Sequence, residues 1–350
     1  MSDAAPTTDE APTRPERSLP APGPVLGLFA LYLLTILGGV ALAGPFEATG
    51  VPTFEEPGNV ANVGLIFVEI VIITALFVLI TRYGYGRRVL RVLVLAVFGY
   101  AANLAVTGAG IPAAEIVGPA LAVAVFLALL FHPEWYVIDA TAVVAGAAII
   151  AQFGNGLGPL PTLLFLVGMA AYDAYAVYVS EHMQQLGGGV GELKLPMMYV
   201  VPPSVSFSMD DMGNPFETDG NEADDRKGGT DVDDGENGTD GGSESAPNSD
   251  DGGQDTPILL GLGDAIVPGL LAVSAGQFLP ADPLIAGTIL NAPALGAILG
   301  SVVGLVGLLA LLYAIERAHA GLPVLNACVI LGYLAGALAA GVPIATAFGL

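Results

Sequence analysis

The chain has 350 residues, 54% of them apolar and 12% charged, with a mean hydropathy of +0.70, which is too oily for a soluble domain of ordinary composition. Ten Lys and Arg oppose 33 Asp and Glu for a net charge of -23, so there is no basic surface to replace phosphate counterions and nucleic acid is excluded as a partner. The single cysteine, Cys328, rules out a disulfide framework and any multi-thiolate metal site.

Residues 1–23 are rich in proline, hold four acids and read as a disordered cytoplasmic tail. Residues 24–180 then carry six apolar runs, at about 24–44, 60–81, 89–107, 112–131, 137–153 and 158–180. A hydrophilic stretch at 181–256 follows, with 18 of the acids, many glycines and a largely disordered character; a short strand is expected within it at 197–201. Residues 257–348 add three more apolar runs, at about 257–278, 291–314 and 322–348. Each run is near the length that carries a helix across about 30 Å of hydrocarbon. The expected fold is therefore an all-α membrane protein with nine transmembrane helices, a multi-pass protein of the cell membrane in contact with the lipid bilayer.

Lys and Arg collect in short cytoplasmic loops, which tests the count independently. With nine spans and the N-terminus inside, Arg14, Arg17, Arg82, Arg87, Arg88, Arg91, Lys194, Arg226, Lys227 and Arg317 all fall on one face. The loops on the other face and the C-terminus contain none. The expected topology has the N-terminus inside and the C-terminus outside.

Charges within a span are costly and mark functional candidates. Five acids lie in or beside the expected spans: Glu69, Glu115, Asp139, Asp173 and Asp264. Glu69 reads as a polar contact within the bundle, and Glu115 and Asp139 as helix-end acids within reach of water. Asp173 and Asp264 differ. Each lies seven residues from the cytoplasmic end of its expected span, so both carboxyls sit about 10 Å below that boundary at 1.5 Å per residue. Two carboxyls that meet in a low-dielectric, partly wet cavity share a proton. One can then take a proton from an attacking water while the other donates to the peptide carbonyl, without metal or cofactor. Gly261 and Gly263 remove side-chain bulk where a helix or an extended substrate approaches the backbone, and Tyr172 offers a hydroxyl beside Asp173.

These segments carry a resemblance. AYDAY at 171–175 is similar to the YD motif, and GLGD at 261–264 to the GxGD motif, of the presenilin and signal-peptide-peptidase intramembrane aspartyl proteases. Nine spans, with the motifs in the sixth and seventh and a long hydrophilic loop between them, match that family across nearly the entire chain. The whole resembles an archaeal presenilin-like homologue, and an inside N-terminus resembles presenilins rather than signal peptide peptidases. The resemblance implies that Asp173 and Asp264 are the catalytic pair and that transmembrane peptides or membrane proteins are the substrates.

The family's Pro-Ala-Leu motif has a literal match at Pro293, Ala294 and Leu295, but these open span 8 at the face opposite the two aspartates. Pro323, Val324 and Leu325 open the last span on the catalytic side and are the better match. Met198, Tyr199 and Val200, flanked by prolines, form a candidate strand to which an unwound substrate adds. There is no HExxH, and the three histidines lie at loop edges, so neither a zinc site of that type nor a serine-histidine dyad has its parts. The alternative is an ion channel or proton-coupled transporter that uses the same carboxylates as a relay.

Overall fold

The computed structural model describes residues 22–50, 53–82, 86–178, 196–204, 206–209, 257–314 and 320–350. Residues 1–21 and most of the 181–256 loop lie outside the described residues, as do Arg14, Arg17, Lys194, Arg226, Lys227 and Arg317.

Six helices come first: α1 (Pro22–Ala48), α2 (Ala61–Arg82), α3 (Gly86–Gly108), α4 (Ala114–Phe131), α5 (Trp135–Gly156) and α6 (Pro159–Tyr178). Two strands, β1 (Met198–Val201) and β2 (Ile258–Gly261), precede α7 (Leu262–Phe278), α8 (Ala292–Ala314), α9 (Leu322–Ala339) and the single turn α10 (Ile344–Ala347). Among the described residues, eight helices are long and apolar enough to cross a membrane, and α7 is a shorter apolar helix. Together they make the nine expected.

Two boundaries differ from the sequence reading. The seventh helix begins at Leu262 rather than 257, because the backbone groups of 258–261 pair with β1 instead of starting a helix. The ninth stops at Ala339: Gly341 adopts φ 72°, a left-handed turn that favours glycine, and Pro343 cannot continue a helix. The chain then folds back through α10, whose Ala347 carbonyl accepts a hydrogen bond from the buried Tyr333 hydroxyl.

Helices that are apolar all round need either lipid or protein on every face. α2 takes mostly lipid, with Leu65, Val68, Val71, Ile72 and Ile73 exposed. Glu69 is exposed on the same helix instead of reaching into the bundle. The interior is built by α1, α5 and α7, and small residues let them approach. On α5, Ala142, Ala145, Ala147, Ala148 and Ala151 are buried. Ile150 of the same helix sits in notches at Gly39 of α1 and Gly269 of α7, where an added methyl would stand 2.3 and 2.5 Å from it. α8 and α9 meet backbone to backbone: a methyl on Gly296 would lie 2.2 Å from the Gly332 carbonyl oxygen.

Candidate active site

The two strands form an antiparallel ribbon with Met198 opposite Gly261, Tyr199 opposite Leu260, Val200 opposite Leu259 and Val201 opposite Ile258. Leu262 N–H donates to the Met197 carbonyl at 2.9 Å, which makes 197 and 262 a bonded pair. By alternation, Tyr199 bonds Leu260, while the backbone groups of Met198 and Val200 point to one outer edge and those of Leu259 and Gly261 to the other.

On the β1 edge one backbone group is already taken. Val200 N–H donates to Oδ1 of Asp139 at 2.8 Å, and that aspartate is buried in α5, 4% exposed. The helix-end reading of Asp139 is therefore corrected: water does not make this acid tolerable, a strand does, and the strand is contributed from 61 residues away. The second anchor is the Tyr199 hydroxyl, 2.7 Å from Thr35 Oγ1 on α1. Thr35 gives its own proton to the Leu31 carbonyl at 2.9 Å, so Tyr199 is the donor. Burial pushes the Tyr199 phenol up from its ordinary value, so it stays protonated as that role requires.

The ribbon delivers the chain directly into α7. Gly261 is the N-cap residue, Leu262 the first helical residue and Asp264 the third. Asp264 folds back toward the cap: its carboxylate accepts from Gly261 N–H, and a methyl on Gly261 would stand 3.2 Å from its Oδ2. An acid at the third helical position reaching back to the N-cap N–H is one half of a capping box, placed at the positive end of the helix. Gly263 is exposed with no atom within 4 Å of where a side chain would begin, which leaves open space beside the carboxyl. One turn on, Pro268 has no N–H for the Asp264 carbonyl, so that oxygen lacks its usual helical partner.

Asp173 comes from α6, five residues before the last described residue of that helix, and is half-buried. Its Oδ2 accepts from Leu322 N–H at 3.1 Å, and Gly321 N–H is a second donor. Gly321 caps α9, so this carboxylate also sits at a helix N-terminus. Pro323, at the second position of α9, costs no hydrogen bond there and fixes the first turn that presents those donors. Leu325 is fully buried and packs on Gly304 of α8, while Val324 is 36% exposed. The carboxyl of Asp264 interacts electrostatically with that of Asp173.

Of the remaining candidates, Tyr199 and Val200 are buried and Met198 is partly buried. Tyr172 is 54% exposed. The literal triplet Pro293, Ala294 and Leu295 lies far from the aspartates: Pro293 packs against Gly336, 14 residues along α9 from Leu322, or about 21 Å. Among the described residues no three His, Cys, Asp or Glu side chains cluster as metal ligands.

Two solved structures, both described as a presenilin family intramembrane aspartate protease, resemble the chain. One, from a C222 crystal, is 28% identical with a TM-score of 0.59, covering 91% of this chain and all of that one. The other, from a P2 crystal, is 29% identical with a TM-score of 0.57, covering 91% of this chain and 98% of that one. No curated protein matches. The family model described as signal-peptide peptidase, presenilin aspartyl protease matches residues 29–342, and the chain belongs to that family of multi-pass, intramembrane aspartyl proteases.

Proposed function

We propose that Asp173 and Asp264 are the catalytic pair of a GxGD-type endopeptidase that cuts single-span transmembrane peptides within the bilayer. The observation that supports this reading is that the carboxyls from α6 and α7 lie within electrostatic range of one another, each at the N-terminus of a helix. With one proton between them, the ionised acid takes a proton from water as its oxygen attacks the scissile carbonyl carbon. The protonated acid gives its proton to the carbonyl oxygen, and the tetrahedral species collapses when a proton reaches the leaving nitrogen.

A transmembrane helix has no free backbone groups, so the peptide bond has to be drawn out of helical form before water reaches it. The ribbon supplies the means by strand addition. The receiving edge is placed on β2 rather than at Met198, Tyr199 and Val200, because Asp139 already takes the Val200 N–H on the outer edge of β1. The edge proposed to receive substrate is that of β2, at Leu259, two residues before Gly261 and the Asp264 turn. The chain is inserted with its N-terminus inside, as the one-sided placement of its Lys and Arg residues supports.

The test is cleavage of a single-span substrate by the purified protein in detergent. Asp173→Ala and Asp264→Ala are each expected to abolish product; undiminished cleavage by either overturns the assignment. A proton-relay protein would instead give flux in proteoliposomes, which the family match does not support.

A further inference from the structure

Within electrostatic reach of Asp264, α1 contributes a buried phenol. Tyr32 is fully buried, and its hydroxyl completes no well-formed hydrogen bond, although Ser301 is near enough to draw on it. The polar side chains it faces are Ser301 of α8, Asp264 of α7 and Tyr199 of β1. Packing agrees with this placement. A methyl on Gly146 would meet Thr35 Cγ2 at 2.7 Å and Leu262 Cδ1 at 3.1 Å, so the α1 turn that follows Tyr32 lies against the first turn of α7.

An enclosed donor left unpaired is costly, and evenly spread packing gives no reason to keep one. The neighbours limit where its proton can go. Tyr199 is committed as donor to Thr35. Ser301 Oγ donates to the Ile298 carbonyl at 2.7 Å and is left only as an acceptor. A carboxylate accepts more strongly than a hydroxyl, so Asp264 is the preferred destination. We propose that the Tyr32 hydroxyl positions Asp264, donating to one of its carboxyl oxygens when substrate is bound, directly or through one water. That bond leaves the other oxygen of Asp264 aimed at the attacking water. Tyr32 acts through Asp264 and is thus a positioning residue; the proposal rests on Asp264 being catalytic.

Tyr32→Phe removes one oxygen and keeps the ring. Its kcat is expected to fall about tenfold or more while KM changes less than about twofold, because a hydrogen bond to a charged group is lost at the reacting centre only. Binding of a transition-state-analogue inhibitor of aspartic proteases falls in parallel, and the melting temperature is unchanged or higher, since an unpaired buried hydroxyl has gone. A wild-type kcat in a folded Tyr32→Phe protein overturns the proposal. Ser301→Ala is the companion variant: kcat and melting temperature are expected to hold, because Asp264 is then the sole acceptor. A loss of stability in Ser301→Ala together with a matching loss of kcat would assign the hydroxyl to Ser301 and likewise overturn it. Asp264→Ala run alongside separates the two levels: activity there defeats the catalytic assignment itself, whereas an inactive Asp264→Ala beside a fully active Tyr32→Phe defeats the positioning role alone.

Discussion

The helix that carries Asp264 and the helix that carries Asp173 are seated in opposite ways. α7 is walled in for most of its length, with Ala265, Val267 and the run Pro268–Ala275 buried, and its start is fixed by a ribbon that is itself pinned to α5 through Asp139 and to α1 through Tyr199. Apart from Ala176, α6 is buried only in its first half, at Pro161 to Leu163 and at Phe165 and Leu166. Beyond that it opens, and Val167, Tyr172, Tyr175 and Tyr178 are exposed. Asp173 stands on this open half, tied to the N-terminus of α9. One acid is thus held by the core and the other by an edge. A transmembrane substrate of the kind proposed would meet looser packing on the α6 side than along α7.

The largest effect expected from breaking this contrast is at the ribbon's anchor. Asp139→Leu leaves the Val200 N–H buried without an acceptor, which costs about 1–3 kcal/mol, and it frees the ribbon that positions the Asp264 turn. Cleavage should fall at least tenfold and the melting temperature should drop. Asp139→Asn keeps an oxygen acceptor and should recover most of both; if Leu and Asn behave alike, the strand is not held through this bond. On the proposed strand addition the ribbon also sets the register of the substrate, so the sharper measurement is the product pattern by mass spectrometry. Asp139→Leu should broaden the set of cleaved bonds, which a simple loss of stability would not do.

A smaller effect compares the two helices directly. A methyl at Gly269 of α7 would lie 2.5 Å from Cδ1 and 2.8 Å from Cγ1 of Ile150, a side chain with no exposure. Gly269→Ala should cost about 1–3 kcal/mol, the usual range for overpacking a tight core. At Gly168 of α6 the nearest atom is the ring tip of Phe67 at 2.7 Å, and Phe67 is only partly buried on the lipid-rich α2. That ring can swing outward. Gly168→Ala should therefore melt closer to wild type than Gly269→Ala in the same detergent; the reverse order would show that α6, not α7, is the rigid wall.

Much of this was legible in the sequence, and the rest was hidden for identifiable reasons. Apolar runs of span length announce helices because lipid leaves the backbone no other partner, and the YD and GLGD segments stand out because acids are rare in such runs. The strand at 258–261 was not legible: Ile258, Leu259 and Leu260 continue an apolar run, and periodicity cannot separate a short strand from the start of a buried helix. Its partner, at 198–201, was marked by β-favouring residues between prolines. Asp139 was read as a helix-end acid because its partner is a backbone N–H supplied from 61 residues on, and no local pattern reports such a contact. Tyr32 carries no motif at all; a tyrosine in an apolar span looks the same whether it meets lipid or a carboxyl.

The finest expected effect is at the tie between α6 and α9. Asn326 Nδ2 donates to the Leu166 carbonyl at 2.8 Å, and its Oδ1 is buried without a partner. Leu166 closes the buried half of α6, so this bond marks the point beyond which the helix opens. Asn326→Leu removes one interhelical hydrogen bond and one orphaned oxygen together, and within a membrane such bonds average only about 0.6 kcal/mol. Stability should therefore change little. Activity is the informative readout, because the Asp173 end of α6 loses a fixed point while the Asp264 side loses none. KM is expected to fall or hold as the open half loosens, and kcat to fall a few-fold as Asp173 wanders from its partner. If instead kcat is unchanged and stability drops by several kcal/mol, α6 is held along its whole length, and the contrast between a core-held and an edge-held acid fails.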